Sequence, residues 1–310
     1  DESASYAVYE LLDRLGCRWF LPGDLGEDIP RQGTIRIEKM DVSGVPALMT
    51  RFLGISDPAF KRRVRAGGVP IQFNNLGFSI ETYVPRPQLE AHPDWNAEID
   101  GKRTVSGWLC LANPEVAAAV ADAGIAKLDA AYTPTISLSE GYSPKFCECA
   151  ACRALDTGDR EPLLGDRPAM TDRYVNFCNR VAARVTKRHP DVLFGVIANM
   201  ECVRPPRREK LHPALLPIVV PILHCRAHGL ADAACPSRQQ LRAELEGWAK
   251  LSGRIGFYEF GYNLAELTAP FPMLKLQEDL PFLLAHNVKM WMPYGWVADI
   301  LPTWEATLPG

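Results

Sequence analysis

The chain has 310 residues, 47% hydrophobic and 23% charged, with a formal net charge of -3. That length holds two ordinary domains or one large α/β barrel, for which about 250 residues is routine. The weak charge argues against a polyanionic partner, so neither nucleic acid nor an anionic membrane is expected.

Residues 6–19 read as an amphipathic helix with Ala7, Leu11, Leu12 and Leu15 on one face. Pro22-Gly-Asp supplies a turn, and Thr34-Ile-Arg-Ile alternates like a strand. This piece is too small to fold alone, so residues 1–44 are expected to be the tail of a preceding α+β domain. The polar start, Asp1-Glu-Ser-Ala-Ser, reads as a cut through a longer protein and not as a leader. No run approaches the roughly 20 apolar residues that cross a bilayer.

From about Val45 the pattern becomes strand, loop, helix, repeated. Eight strands are expected, at 47–53, 68–73, 105–111, 135–139, 192–199, 218–224, 254–259 and 288–292. Most are apolar on both faces, as parallel strands covered by helices must be. Helices are expected at 58–66, 114–131, 171–189, 237–250 and 274–286. Asp57-Pro and Asn113-Pro each place a capping side chain before a first-turn proline, and Ser237 is a candidate cap for the fourth-listed span. The alternation predicts an α/β fold in which residues 45–310 form a (β/α)8 TIM-type barrel, with a doubly wound open sheet as the competing architecture. No Gly-rich phosphate loop follows the first strand, which weakens the competitor. Residues 301–310 hold two prolines and no periodicity, so the last helix of the barrel is expected to be missing.

The run from Tyr6 to Gly23, with Gly16-Cys-Arg-Trp-Phe-Leu-Pro at its end, is similar to the segment closing the small N-terminal domain of α-glucuronidases and β-hexosaminidases. Glu81-Thr-Tyr-Val-Pro, His92-Pro-Asp, Gly101-Lys-Arg, Cys110-Leu-Ala-Asn-Pro, Phe146-Cys-Glu-Cys-Ala-Ala-Cys-Arg and Trp248-Ala-Lys resemble bacterial proteins of domain-of-unknown-function family 4838. The resemblance implies a glycoside-hydrolase-like barrel and, more loosely, a carbohydrate substrate. The family often carries Asp where this chain has Glu140 and Glu259, a departure that makes both carboxylate arms longer.

Glu140 in Thr135-Ile-Ser-Leu-Ser-Glu-Gly141 and Glu259 in Arg254-Ile-Gly-Phe-Tyr-Glu-Phe-Gly261 each stand where an apolar run stops. At the ends of a fourth and a seventh barrel strand they would share one mouth, the minimum equipment for breaking a glycosidic bond. Glu140 is expected to protonate the leaving oxygen and Glu259 to act as nucleophile or base, with Glu201 in reserve. The bland alternative for each is a salt bridge. Expected substrate-binding residues are Arg51, Asn75, Asn199, His224, Arg226, His228, Tyr262, Asn263, Tyr294 and Trp296. Arginine offers forked donors to a uronate, and indole rings stack on sugar faces. Trp291 is expected to be core.

Cys147, Cys149 and Cys152 form a Cys-x-Cys-x-x-Cys cluster, and Cys110 is a candidate fourth thiol. A zinc or iron–sulfur site and a loop-stiffening disulfide both fit this spacing, and Cys225 with Cys235 is a second candidate pair. The reading that follows is a glycoside hydrolase of a poly- or oligosaccharide, acting outside the cytoplasm without a cofactor or a catalytic metal. A non-catalytic carbohydrate-binding barrel and a metal-dependent hydrolase are the alternatives.

Overall fold

The computed structural model describes residues 2–51, 57–69, 80–105, 108–139, 146–260 and 273–294. Helix α1 (Glu2–Arg14) leads into a short antiparallel pair, β1 (Arg18–Trp19) and β2 (Glu27–Asp28). The strand expected at 34–37 does not form, and Ile35 and Ile37 are exposed. Alternation there has no partner strand to satisfy the backbone.

β3 (Thr50–Arg51), α2 (Pro58–Arg63) and β4 (Gly67–Gly68) follow. The Asp57 side chain accepts hydrogen bonds from Ala59 N and Phe60 N, with Pro58 in the first turn. Two ion pairs dock the opening segment here, Arg65 Nη1 to Glu10 Oε2 at 2.9 Å and Arg63 to Glu27. β4 runs antiparallel to β3. A Cβ on Gly68, whose φ is +101°, would lie 2.1 Å from the Met49 carbonyl oxygen, so only glycine allows this approach.

Next come α3 (Arg86–Ala91), the hairpin β5 (Glu98–Ile99) and β6 (Lys102–Arg103), and α4 (Pro114–Ala130), capped by the Asn113 side chain. β7 (Thr135–Ser137) is followed by α5 (Ala150–Arg153), the hairpin β8 (Arg160–Glu161) and β9 (Arg167–Pro168), and α6 (Thr171–Val185). The chain ends its described part with β10 (Leu193–Ala198), β11 (Leu215–Val219), α7 (Pro236–Leu251), β12 (Ile255–Phe260), α8 (Met273–Ala285) and β13 (Val288–Tyr294). Ser237 does not cap α7; its Oγ accepts from Cys225 N instead.

One seven-stranded sheet has the order β4-β3-β13-β12-β11-β10-β7, parallel throughout except for β3 with β4. From β7 round to β3 this is the neighbour order of the fourth to eighth strands and the first in a (β/α)8 wall. It is a half-barrel. The expected second strand contributes only the antiparallel β4, and residues 70–79 lie outside the described set. The expected third strand is replaced at Leu109 by an isolated antiparallel bridge to Asn96. Backbone bonds from Ala97 N to Trp108 O and from Cys110 N to Trp95 O turn that segment toward the Asn113 cap and away from the sheet. Among the described residues, no strand closes the ring between β4 and β7.

Side-chain alternation gives the sheet two faces. Ile197, Leu216, Ile218, Tyr258, Met290 and Met292 make a buried cluster on one. On the other, Phe194 and Ile136 pack with α4 and α6, and Val219, Ile255 and Phe257 pack with Leu241, Leu245, Trp248 and Leu283 of α7 and α8. Each fully buried large apolar side chain contributes about 1.5–3 kcal/mol. The helix-side face therefore anchors the strand positions, and the strand ends carry the loops that build the site.

A candidate active-site cavity beyond β7 and β10

Connections that leave the C-terminal ends of β7 and β10 enclose a cavity of about 460 Å³, lined by Phe146, Glu148, Arg153, Arg167, Arg173 and Glu201 among others. That volume lies within the range of small-molecule sites, about 300–1,000 Å³. Glu201 stands in a single 3-10 turn, Met200–Cys202, directly after β10. Met200 has a φ of +48°, so the backbone reverses there and the next residue is turned off the strand axis. Glu201 is buried, and its Oε1 accepts from Arg167 Nη1 at 2.6 Å. Its carbonyl oxygen accepts from Met170 N at 2.8 Å, which ties the turn to the start of α6.

The opposite wall is held by Arg173. Its buried guanidinium donates to both oxygens of Asp156, at 3.0 and 2.7 Å, and to Cys147 O at 2.7 Å. Glu148 and Arg153, at 3.9 Å from each other, are the more exposed charges of the lining. Asp172, the residue before it in α6, accepts from the backbone N–H groups of Arg207, Arg208 and Glu209 at 2.7–2.9 Å and fixes the loop after β10. The arrangement presents a carboxylate with a cationic partner at the end of a parallel strand, with the more exposed Arg153 and Glu148 on the same lining. Such a site can bind a polar ligand and act on it as nucleophile or base.

Glu259 is placed differently from its expected position at the mouth. It shares the face of Ile255 and Phe257, which is the helix side, and Lys275 Nζ of α8 donates to its Oε1 at 2.6 Å. Lys275 also lies 3.5 Å from Asp279, which receives Arg238 Nη2 at 2.5 Å and Leu230 N at 2.6 Å. All four charged side chains are buried. They form an ionic joint between β12, α7 and α8.

His224 is also turned toward the helices, with Nε2 3.1 Å from Glu244 Oε2 of α7. Arg51 is held by the Arg65 and Leu48 carbonyl oxygens and by Tyr6 Oη, so it joins α1 to the sheet and does not reach the cavity. Arg226 donates to Ile222 O, and the exposed His228 contacts the Cys225 thiol at 3.2 Å. Asn199 immediately precedes the turn that carries Glu201. Tyr294 ends β13, with its side chain outside the described set. Glu140, Asn75, Tyr262, Asn263 and Trp296 lie outside the described residues. Trp291 packs against the helix-side cluster, as expected of a core residue.

All nine cysteines are free, so neither candidate disulfide is formed. Cys110, Cys147, Cys149 and Cys152 are buried, with their sulfurs all within 4.8 Å of one another. They can hold a metal ion. Cys225, His228 and Cys235 make a second, more exposed group. Sequence reasoning missed Arg167, Arg173, Asp156 and Lys275. Residues 146–170 carry no periodicity to place Asp156 and Arg167, and Arg173, inside the expected helix at 171–189, gives no sign of which partner it faces. A long irregular connection at a strand's C-terminal end is itself a signal for a site.

The family model described as Domain of unknown function (DUF4838) matches residues 21–297. Curated proteins give no match. Among solved structures, the chain is similar to the exo-beta-1,4-mannosidase Op5Man5 from Opitutaceae bacterium strain TAV5, at 17% identity and a TM-score of 0.35. The alignment covers 63% of this chain and 36% of that one, so this chain spans about a third of the mannosidase's length.

Proposed function

We propose that this chain, which belongs to the DUF4838 family, hydrolyses glycosidic bonds in a poly- or oligosaccharide, using Glu201 as nucleophile or base and Glu140 as the proton donor. The observation that carries the reading is Glu201: a buried carboxylate at the C-terminal end of a parallel strand, paired with Arg167 and lining a cavity of about 460 Å³. Barrel glycosidases place their carboxylates at strand ends of this kind, an analogy of fold that supports the assignment.

In this reading Glu140 protonates the departing glycosidic oxygen. Glu201 attacks the anomeric carbon, or takes a proton from the water that does so. Arg167 holds the Glu201 carboxylate in place, which removes the reorganisation that a freely rotating side chain would require. Arg153 gives the cavity a donor for a substrate carboxylate, and this favours an acidic sugar as one unit of the substrate. Glu259, engaged by Lys275, supports the framework of β12.

The test is hydrolysis of aryl glycosides and aryl uronides by the parent chain and by Glu201→Gln and Glu140→Gln. Both variants should lose about 10²-fold or more in kcat. Full activity in both variants removes the two residues from the mechanism. Sugar binding by the parent with no bond cleavage favours a non-catalytic carbohydrate-binding protein.

A further inference from the structure

We propose that Cys110, Cys147, Cys149 and Cys152 bind a single zinc ion in a closed tetrahedral site that locks one wall of the cavity. The four sulfurs come from two separate pieces of chain: the turn before α4, and the continuous stretch that enters and forms α5. Zinc–thiolate bonds of about 2.3 Å in a tetrahedron set sulfur–sulfur edges of about 3.8 Å. Cys110 Sγ lies 3.7 Å from Cys149 Sγ and 3.8 Å from Cys152 Sγ. A disulfide has its sulfurs about 2.05 Å apart, so neither of these pairs is bonded. All four within 4.8 Å of one another surround one ion, with no room between them for an iron–sulfur cluster.

The surroundings fit an anionic four-thiolate centre. Glu98 N points at Cys147 Sγ at 3.3 Å and Cys152 N at Cys149 Sγ at 3.4 Å, donors that stabilise negative sulfur. Three arginines flank it: Arg103 stands close enough to the Cys110 and Cys149 sulfurs to favour their negative charge, Arg173 donates to Cys147 O, and Arg180 donates to the carbonyl oxygens of Leu111 and Ala112. Binding converts four thiols and a Zn²⁺ ion to a tetrathiolate of net charge -2, and the four protons pass to the buffer. All four positions are taken by protein, so the ion is structural. Ile99, Trp108 and Ala112 pack round the sulfurs and shield them from water.

The experiment is elemental analysis of the whole chain purified without chelators, followed by titration with a thiol-specific mercurial in the presence of a zinc-sensitive dye. One equivalent of zinc per chain is expected, released as four thiols react. Cys149→Ser should lose that equivalent, and Cys225→Ser should keep it. If Cys149→Ser fails to fold, cobalt-substituted parent protein gives the same information through the intense visible bands of tetrahedral thiolate cobalt. Absence of metal with the four thiols freely titratable, iron in place of zinc, or loss of the equivalent in Cys225→Ser with retention in Cys149→Ser would each overturn the proposal.

Discussion

Lys275 Nζ lies 2.6 Å from Glu259 Oε1, and both side chains are buried beneath α8. Removing one charge of such a pair strands the other in a medium that solvates it poorly, which costs about 3–5 kcal/mol. Lys275→Met should therefore lower stability by that amount in urea denaturation. Lys275→Met combined with Glu259→Met should recover much of the loss, because no charge is then left unpaired. A double variant as unstable as the single one contradicts a charge-pairing origin.

Glu201 and Glu259 should respond to the same substitution in opposite ways. Glu201→Gln keeps a hydrogen-bond acceptor for Arg167 and should retain the parent melting temperature while kcat falls about 10²-fold or more on a cleaved substrate. Glu259→Gln should lower the melting temperature and leave kcat near the parent value. Reversal of these outcomes moves the catalytic carboxylate to β12.

Burial works to raise the Cys225 pKa, yet hydrogen bonds from the His228 backbone and side chain, from Ala227 and from Cys235 bring it down to about 7. Below that pH the sulfur is protonated and unreactive; above it the thiolate dominates. Alkylation by iodoacetamide should rise with a midpoint near 7 and then level off, about a unit and a half before an ordinary thiol. His228→Ala should move the midpoint upward. The other eight cysteines are buried, so the fast phase belongs to Cys225 and should vanish in Cys225→Ser.

Asp172 satisfies three backbone donors of the loop that follows β10. Asp172→Ala leaves those part-buried N–H groups without their acceptor, at about 1–3 kcal/mol for each one that water cannot reach. Amide hydrogen exchange at Arg207, Arg208 and Glu209 should accelerate well beyond any change at Phe194, deep in the helix-side core.

The sequence discloses what short-range chemistry decides. Asp57-Pro58 and Asn113-Pro114 announce their helices because capping needs only the residue and its next three neighbours. β10 and β12 are legible as doubly buried apolar runs. β11 begins three residues before its expected start, at Leu215, and stops at Val219, because Pro221 ends the pairing with its neighbours. The face occupied by Glu259 is not legible. It depends on strand parity, on an irregular register between Ile255 and Gly256, and on a lysine sixteen positions further along. The cavity is hidden for a related reason. Arg167, Arg173 and Glu201 meet only after β8, β9 and α6 have folded the long connection back on itself.

Cys147 belongs to two neighbourhoods at once: its sulfur joins the quartet of thiols, while the residue also lines the cavity and its carbonyl oxygen receives Arg173. On the zinc proposal, a reagent that strips the metal would therefore shift the cavity wall at Cys147 while leaving Glu201 and Arg167 chemically unaltered. Under the proposed glycosidase reading, preparations made over chelating resin would lose activity, and refilling them with zinc would restore it with no change in sequence.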